Sequence, residues 1–186
     1  MRRRTLVVLL PLALTGCGYN TIQQYDESAN KAKQQIEVQL QRRADLIPNL
    51  VEVVKGQAKQ ELDVFTQVAQ ARAGLVSALQ TRDPKQMADA NEAVTTSLRS
   101  LMVTVEAYPQ LKSDQAFLRL QDELTGTENR VAVSRTDYNE SVNTYNTYIR
   151  KFPAVLTAKV IGAKTREYFE VTNAAAREAP KVQFNK

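Results

Sequence analysis

An all-α fold is predicted for this chain: an elongated, up-and-down four-helix bundle with an extra short helix near its C-terminal end. Three observations predict it. Apolar residues recur at three- and four-residue steps along nearly the whole chain, which is the helical period. Only six glycines and six prolines interrupt 186 residues, and no run alternates apolar with polar residues as a half-buried strand would. Pro48, Pro84, Pro109 and Pro153, with Asp45, Asp83 and Asp114, fall where helices are expected to start or stop.

The chain opens with Arg2, Arg3 and Arg4, followed by an apolar run from Leu6 to Leu14 broken only by Pro11. A membrane-spanning helix needs about 20 apolar residues; this run is half that and suits a secretory leader. Leu14-Thr15-Gly16-Cys17 follows at once and resembles the bacterial lipobox. That resemblance implies cleavage after residue 16 and acyl chains such as palmitate on Cys17. Two or three chains anchor a protein stably, since each buried methylene contributes about 0.8 kcal/mol. Residues 1–16 are thus expected to be a lipoprotein signal peptide, 17–21 a lipidated cysteine and tether, 22–170 the helical bundle, and 171–186 a mobile tail.

The first bundle helix is expected from near Thr21 to about Arg43, with the stripe Ile22, Tyr25, Ala29, Ala32, Ile36 and Leu40. Asp45 can cap a second helix with Pro48 in its first turn; a kink at Pro48 in one continuous helix is the alternative. The second stripe reads Ile47, Leu50, Val54, Ala58, Leu62, Phe65, Ala69, Arg72, Val76 and Leu79. Asp83-Pro84-Lys85-Gln86 combines a cap, a proline at the first helical position and a capping-box glutamine. A third helix carries Met87, Val94, Leu98, Leu101 and Val105, ending before Pro109. Ser113 or Asp114 caps the fourth, whose stripe is Phe117, Leu120, Leu124, Glu128, Val131, Arg135, Tyr138, Val142, Tyr145, Ile149 and Phe152. After Pro153 a shorter helix is expected from Val155 to about Phe169.

Composition excludes much. Without residues 1–16 the chain keeps 22 basic and 20 acidic residues, a net +2, and no basic block that would indicate nucleic acid. There is no histidine, which excludes histidine-based triads, the usual histidine-containing zinc sites and the Glu-x-x-His pairs of di-iron bundles. Cys17 is the only cysteine, and no glycine-rich phosphate loop occurs. No catalytic residue, cofactor or metal is therefore expected.

Carboxylates remain. Glu61 borders the second stripe and Glu128 lies in the fourth, with Arg72 and Arg135 further along each. They read either as a buried acid–base or metal cluster, or, more commonly for such a pattern, as interhelical ion pairs or arginines whose stems lie on the core with heads reaching solvent, Glu61 then specifying helix register. Tyr138-Asn139 and Tyr145-Asn146 repeat one heptad apart. They supply rings to the core with hydroxyls and amides at its rim, either as a polar recognition strip or as internally satisfied packing.

These residues also carry a family resemblance. Tyr19-Asn20, the run Arg43-Ala44-Asp45-Leu46-Ile47-Pro48-Asn49-Leu50-Val51, Glu61, Ala71-Arg72 and Tyr108-Pro109-Gln110-Leu111 resemble the LemA family. So do Phe117-Leu118-Arg119-Leu120-Gln121, Glu128, Arg135, Tyr138-Asn139, Tyr145-Asn146, Phe152-Pro153, Tyr168-Phe169 and the ending from Pro180 to Phe184. The resemblance implies a bromodomain-like bundle with no established enzymatic activity or cofactor. Its members commonly carry an N-terminal membrane helix, where this chain has a lipobox. Relatives include proteins implicated in shaping magnetosome membranes and others encoded near membrane proteases, which implies envelope partners.

The expected function is a non-enzymatic protein-interaction or scaffold module of the cell envelope. It would be held to the membrane by lipid on Cys17 and bind envelope proteins, including a second copy of itself. Membrane shaping is the next reading, and a carboxylate-based cell-wall hydrolase the third. Gly18 follows the cysteine where aspartate would retain a lipoprotein in the inner membrane. The expected site is therefore the outer membrane facing the periplasm in a diderm, or the outer face of the membrane in a monoderm.

Overall fold

The computed structural model describes the backbone of residues 2–172 and the side chains of residues 18–172. The side chains of the leader and of Cys17, and the tail beyond residue 172, lie outside the described residues. Those residues form six helices and no strand: α1 (Arg2–Gln57), α2 (Leu62–Thr81), α3 (Pro84–Val105), α4 (Pro109–Lys112), α5 (Gln115–Tyr148) and α6 (Ala154–Val160). No described helix is long and apolar enough to cross a membrane.

Two compact units result. One joins residues 1–38 to 130–168; the other joins 39–129 to the chain from Phe169 onward. In the first unit Ile22, Tyr145, Ile149 and Ala158 form a core against which Tyr25, Tyr148 and Ala163 pack. The Tyr25 and Tyr148 rings meet edge to face, 5.2 Å between centroids. In the second unit Leu40, Ile47, Leu50 and Val54 of α1 are buried, as are Leu75 of α2, Met87 and Leu101 of α3, and Leu111 of α4. Full burial of each such large side chain contributes about 1.5–3 kcal/mol.

Helix boundaries differ from the sequence pattern at four places. Helix α1 runs unbroken through Pro48, so the continuous alternative holds and Asp45 caps nothing. The break falls instead at residues 58–61, between α1 and α2. Crossing it resets the helical phase, so α2 buries Phe65, Val68, Leu75 and Ala78, while Leu62 is 68% exposed. Residues 18–21, expected as a tether, are helical, and Gly18 is buried against α6.

The fourth difference is at the C-terminal end, where α6 stops after seven residues rather than reaching Phe169. Gly162 takes the left-handed conformation, φ +68°, that a side chain resists. Its N–H donates to the Lys159 carbonyl and that of Ala163 to Ala158, the paired bonds of a Schellman ending, and the chain leaves as an irregular segment. The other caps follow expectation. Asp83 Oδ1 accepts from the Gln86 N–H at 2.9 Å with Pro84 next to it, although the Gln86 side chain takes the Thr81 hydroxyl. Asp114, rather than Ser113, caps α5 by accepting from the N–H groups of Ala116 and Phe117.

Candidate functional site

Helix α5 presents Tyr138 and Asn146 on its buried side, and both grip the irregular segment that follows α6. The Tyr138 hydroxyl donates to the Glu167 carbonyl at 2.8 Å. Asn146 makes two bonds to one residue: its Nδ2 donates to the Arg166 carbonyl at 2.9 Å, and its Oδ1 accepts the Arg166 N–H at 2.8 Å. A side-chain amide thereby replaces a backbone partner for a stretch outside helix and sheet. The Arg166 guanidinium forks onto Asp26 of α1, Nε to Oδ1 at 2.8 Å and Nη2 to Oδ2 at 3.0 Å, and its Cζ lies 5.9 Å from the Tyr145 ring centroid. Asn139 is half-buried beside this clamp, and Arg135 is exposed on α5.

The clamp is electrostatically tuned. The hydrogen bond to Asp26 raises the Arg166 guanidinium against the opposing effect of burial. Burial, reinforced by Asp26, pushes the Tyr145 phenol above its usual value. A tyrosine raised on folding contributes stability that is complete below its unfolded value and lost as pH rises through the folded one. Stability is therefore expected to fall as pH climbs beyond about 10, the unfolded tyrosine value. Urea midpoints measured at neutral and alkaline pH check this, and Tyr145→Phe is expected to flatten the decline; an unchanged slope in that variant contradicts it.

The second unit holds a buried arginine. Arg43 of α1 is 1% exposed; its Nη1 donates to Asn91 Oδ1 at 2.6 Å, and Nη2 lies 3.6 Å from Glu128 Oε2. Its Nε has no hydrogen-bond partner. Burial lowers the guanidinium from its usual value, with Glu128 and Glu92 acting against that shift. A cleft of about 200 Å³ opens beside it, lined by Thr95, Arg99, Gln121 and Glu128 among others. The Glu128 side chain is 52% exposed, so it stands at the rim of the core and not within the stripe.

Arg72 has a different task. An α-helical carbonyl accepts from the N–H four residues on, and for Ala44 that residue is Pro48, which has none. Arg72 Nε of α2 donates to this Ala44 carbonyl at 2.8 Å. The arginine thus supplies the bond that the proline removes and lets α1 pass through Pro48. Arg72→Met is expected to cost about 1.5–3 kcal/mol, the range for a hydrogen bond to a charged group, and much less beside Pro48→Ala. A double-mutant cycle measures the coupling; equal losses in both backgrounds would sink the assignment.

Glu61 sits at the break before α2, where its Oε1 accepts the Tyr108 hydroxyl at 3.0 Å. This hydrogen bond raises the Tyr108 phenol. The polar residues picked out by the sequence thus meet separate partners: Glu61 meets Tyr108, Arg72 meets Ala44, and Glu128 meets Arg43. Among the described residues no three histidine, cysteine, aspartate or glutamate side chains are grouped as metal ligands would be. Sequence reasoning missed Asp26, Asn91 and Arg166 as site residues. It also passed over Arg43, although that arginine falls between Leu40 and Ile47 on the apolar stripe of α1.

Comparison with known proteins places these features in a family. The LemA family profile matches residues 32–184. Magnetosome proteins MamQ 1 and MamQ 2 of Paramagnetospirillum magneticum are each 29% identical to this chain, the match covering 82% of it and 64% of the relative. Magnetosome protein MamQ of Magnetospirillum gryphiswaldense is likewise 29% identical, over 81% of this chain and 64% of the relative. The chain therefore spans a little under two thirds of the length of the curated relatives it matches.

Proposed function

The chain belongs to the LemA family, and from that membership and the engagement of its polar side chains we propose a membrane-anchored envelope lipoprotein acting as a non-enzymatic interaction and scaffold module. One observation carries the reading. The polar groups that could have formed a reactive centre are bound to the chain itself: Arg72 to the Ala44 carbonyl, Tyr138 to the Glu167 carbonyl and Asn146 to both backbone groups of Arg166. Such bonds rigidify a scaffold and leave its outer faces for recognition. The third reading, a carboxylate hydrolase, needs two carboxyl groups about 5–9.5 Å apart across a cleft. The cleft beside Arg43 is lined by one, Glu128.

The anchor is argued from residues 1–17 themselves, since the family match begins at residue 32. In this reading residues 1–16 are removed, Cys17 carries the lipid and the helical part stands in the envelope, facing the periplasm in a diderm. The short connections between α2 and α3 and between α3 and α5 support the up-and-down, bromodomain-like arrangement that the family resemblance implies. The relatives' designation as magnetosome proteins favours a second reading, in which the chain organises or shapes membrane.

In-cell photo-cross-linking tests the proposal. A photoreactive residue replaces Val103, which is 69% exposed on α3, and a Cys17→Ser variant serves as the control. Capture of a discrete envelope protein by the anchored form alone supports the scaffold reading. Capture of lipid or of a second copy alone overturns it in favour of membrane organisation.

A further inference from the structure

We propose that the outer face of α6 is a second membrane contact, which lies on an anionic lipid surface directly beside the anchor. The proposal rests on the reading of Cys17 as the lipid attachment site. Helix α6 has two sides. Ala154, Thr157 and Ala158, at helical spacings of three and four, are buried within the first unit. Leu156 and Val160, four residues apart on another side, are 54% and 80% exposed, and Phe152 just before the helix is 81% exposed. Isolated exposed apolar residues are ordinary, but three this large within nine positions of a seven-residue helix and its lead-in are not.

Charge and position both select lipid as the occupant. Arg150, Lys151, Lys159 and Lys164 are all exposed, and no acidic residue occurs between 150 and 166. Apolar side chains interleaved with basic ones are the composition of a helix lying in the membrane interface. The inner side of α6 meets α1 at Gly18: a Cβ built there would lie 3.5 Å from Thr157 Oγ1 and 3.6 Å from the Ala154 Cα. Gly18 is the residue after Cys17. The lipid attachment point is therefore one residue from the helix that carries this face. Tyr19, the next residue, is 46% exposed, and tyrosine favours the headgroup level. The acyl chains on Cys17 hold the chain at the membrane, and an apolar and basic patch beside them supplies an added contact that fixes its orientation.

The chain contains no tryptophan, so a single introduced one reports alone. The full lipidated chain carrying Phe152→Trp is reconstituted with vesicles of phosphatidylcholine and phosphatidylglycerol, and fluorescence is read with and without brominated acyl chains. Vesicle flotation reads anchoring separately. The expected result is blue-shifted emission that loses most of its intensity to brominated lipid. A tryptophan replacing Val133, which is 62% exposed on α5, remains unquenched. Adding Leu156→Glu and Val160→Glu, both at exposed positions, is expected to abolish the quenching while circular dichroism is unchanged. A chain that floats with the residue-152 probe unquenched overturns the α6 contact and leaves the anchor standing. A chain that does not float overturns the Cys17 reading itself. A blue shift without lipid quenching identifies a second copy as the occupant and overturns the proposal.

Discussion

Replacing Arg43 with alanine is expected to lower the unfolding free energy by about 3–5 kcal/mol, the scale for breaking a buried, hydrogen-bonded charge pair and leaving a void. The long stem of Arg43 fills space in the core at 1% exposure, so truncation opens a cavity. It also removes the donor to Asn91 Oδ1 and the counter-charge of Glu128. These losses are unequal. Glu128 is half exposed, so water screens its pairing with Arg43, and Arg43 keeps its bond to Asn91; Glu128→Gln alone is expected to cost no more than about 1 kcal/mol. Removing the arginine also deletes an Nε that has no partner, which offsets part of the loss. The volume is therefore the larger contribution, and Arg43→Met, which keeps most of the stem without the charge, is expected to recover more than half of the stability lost by Arg43→Ala. Urea unfolding followed by circular dichroism orders the three variants. If methionine proves as damaging as alanine, the charge and not the volume holds this part of the core together.

What could be read from the sequence divides along a physical line. The stripes of α3 and of residues 22–54 of α1 were legible because a helix that buries one face shows it every three or four residues. Asp83 and Asp114 were legible as caps because capping is a local geometry of a few residues. The break at residues 58–61 was not. Ala58-Lys59-Gln60-Glu61 contains good helix formers, so propensity favours continuation and packing overrides it. The passage of α1 through Pro48 was open between two readings, because its cost is met by Arg72, 28 residues away. The Tyr-Asn pairs admit two readings in the sequence, a polar recognition strip or internally satisfied packing, and neither names the segment that they hold. The segment that they hold carries no periodic signal, and Asp26 pairs with Arg166 across 140 residues of sequence. Non-local polar pairing leaves no pattern in a single chain; periodic burial does.

The same clamp yields a sharp local expectation. Asn146→Leu removes both partners of the Arg166 backbone, and each buried unpaired group costs about 1–3 kcal/mol. That total need not appear as global destabilisation. Residues 163–172 lie outside any helix, and the fork of Arg166 on Asp26 is partly exposed, which limits what it can hold alone. Opening this segment is then easier than unfolding the unit, and the local opening energy caps the observed loss. Hydrogen exchange is expected to show the Arg166 amide losing protection by a factor of about 10–100, with the interior of α5 little changed. Asn146→Asp refines the test. It keeps the shape and the acceptor but faces the Arg166 carbonyl with a second oxygen, so the introduced carboxyl is held protonated more readily than in the unfolded chain. A carboxyl raised on folding contributes stability below its unfolded value and loses it as pH rises through the folded one. Protection at Arg166 is therefore expected to return toward the native level on acidification in the aspartate variant and not in the leucine variant. Equal behaviour of the two across pH would mean that the Asn146 Nδ2 donor does not hold the segment, and the tyrosine hydroxyl and the Asp26 fork would have to hold it instead.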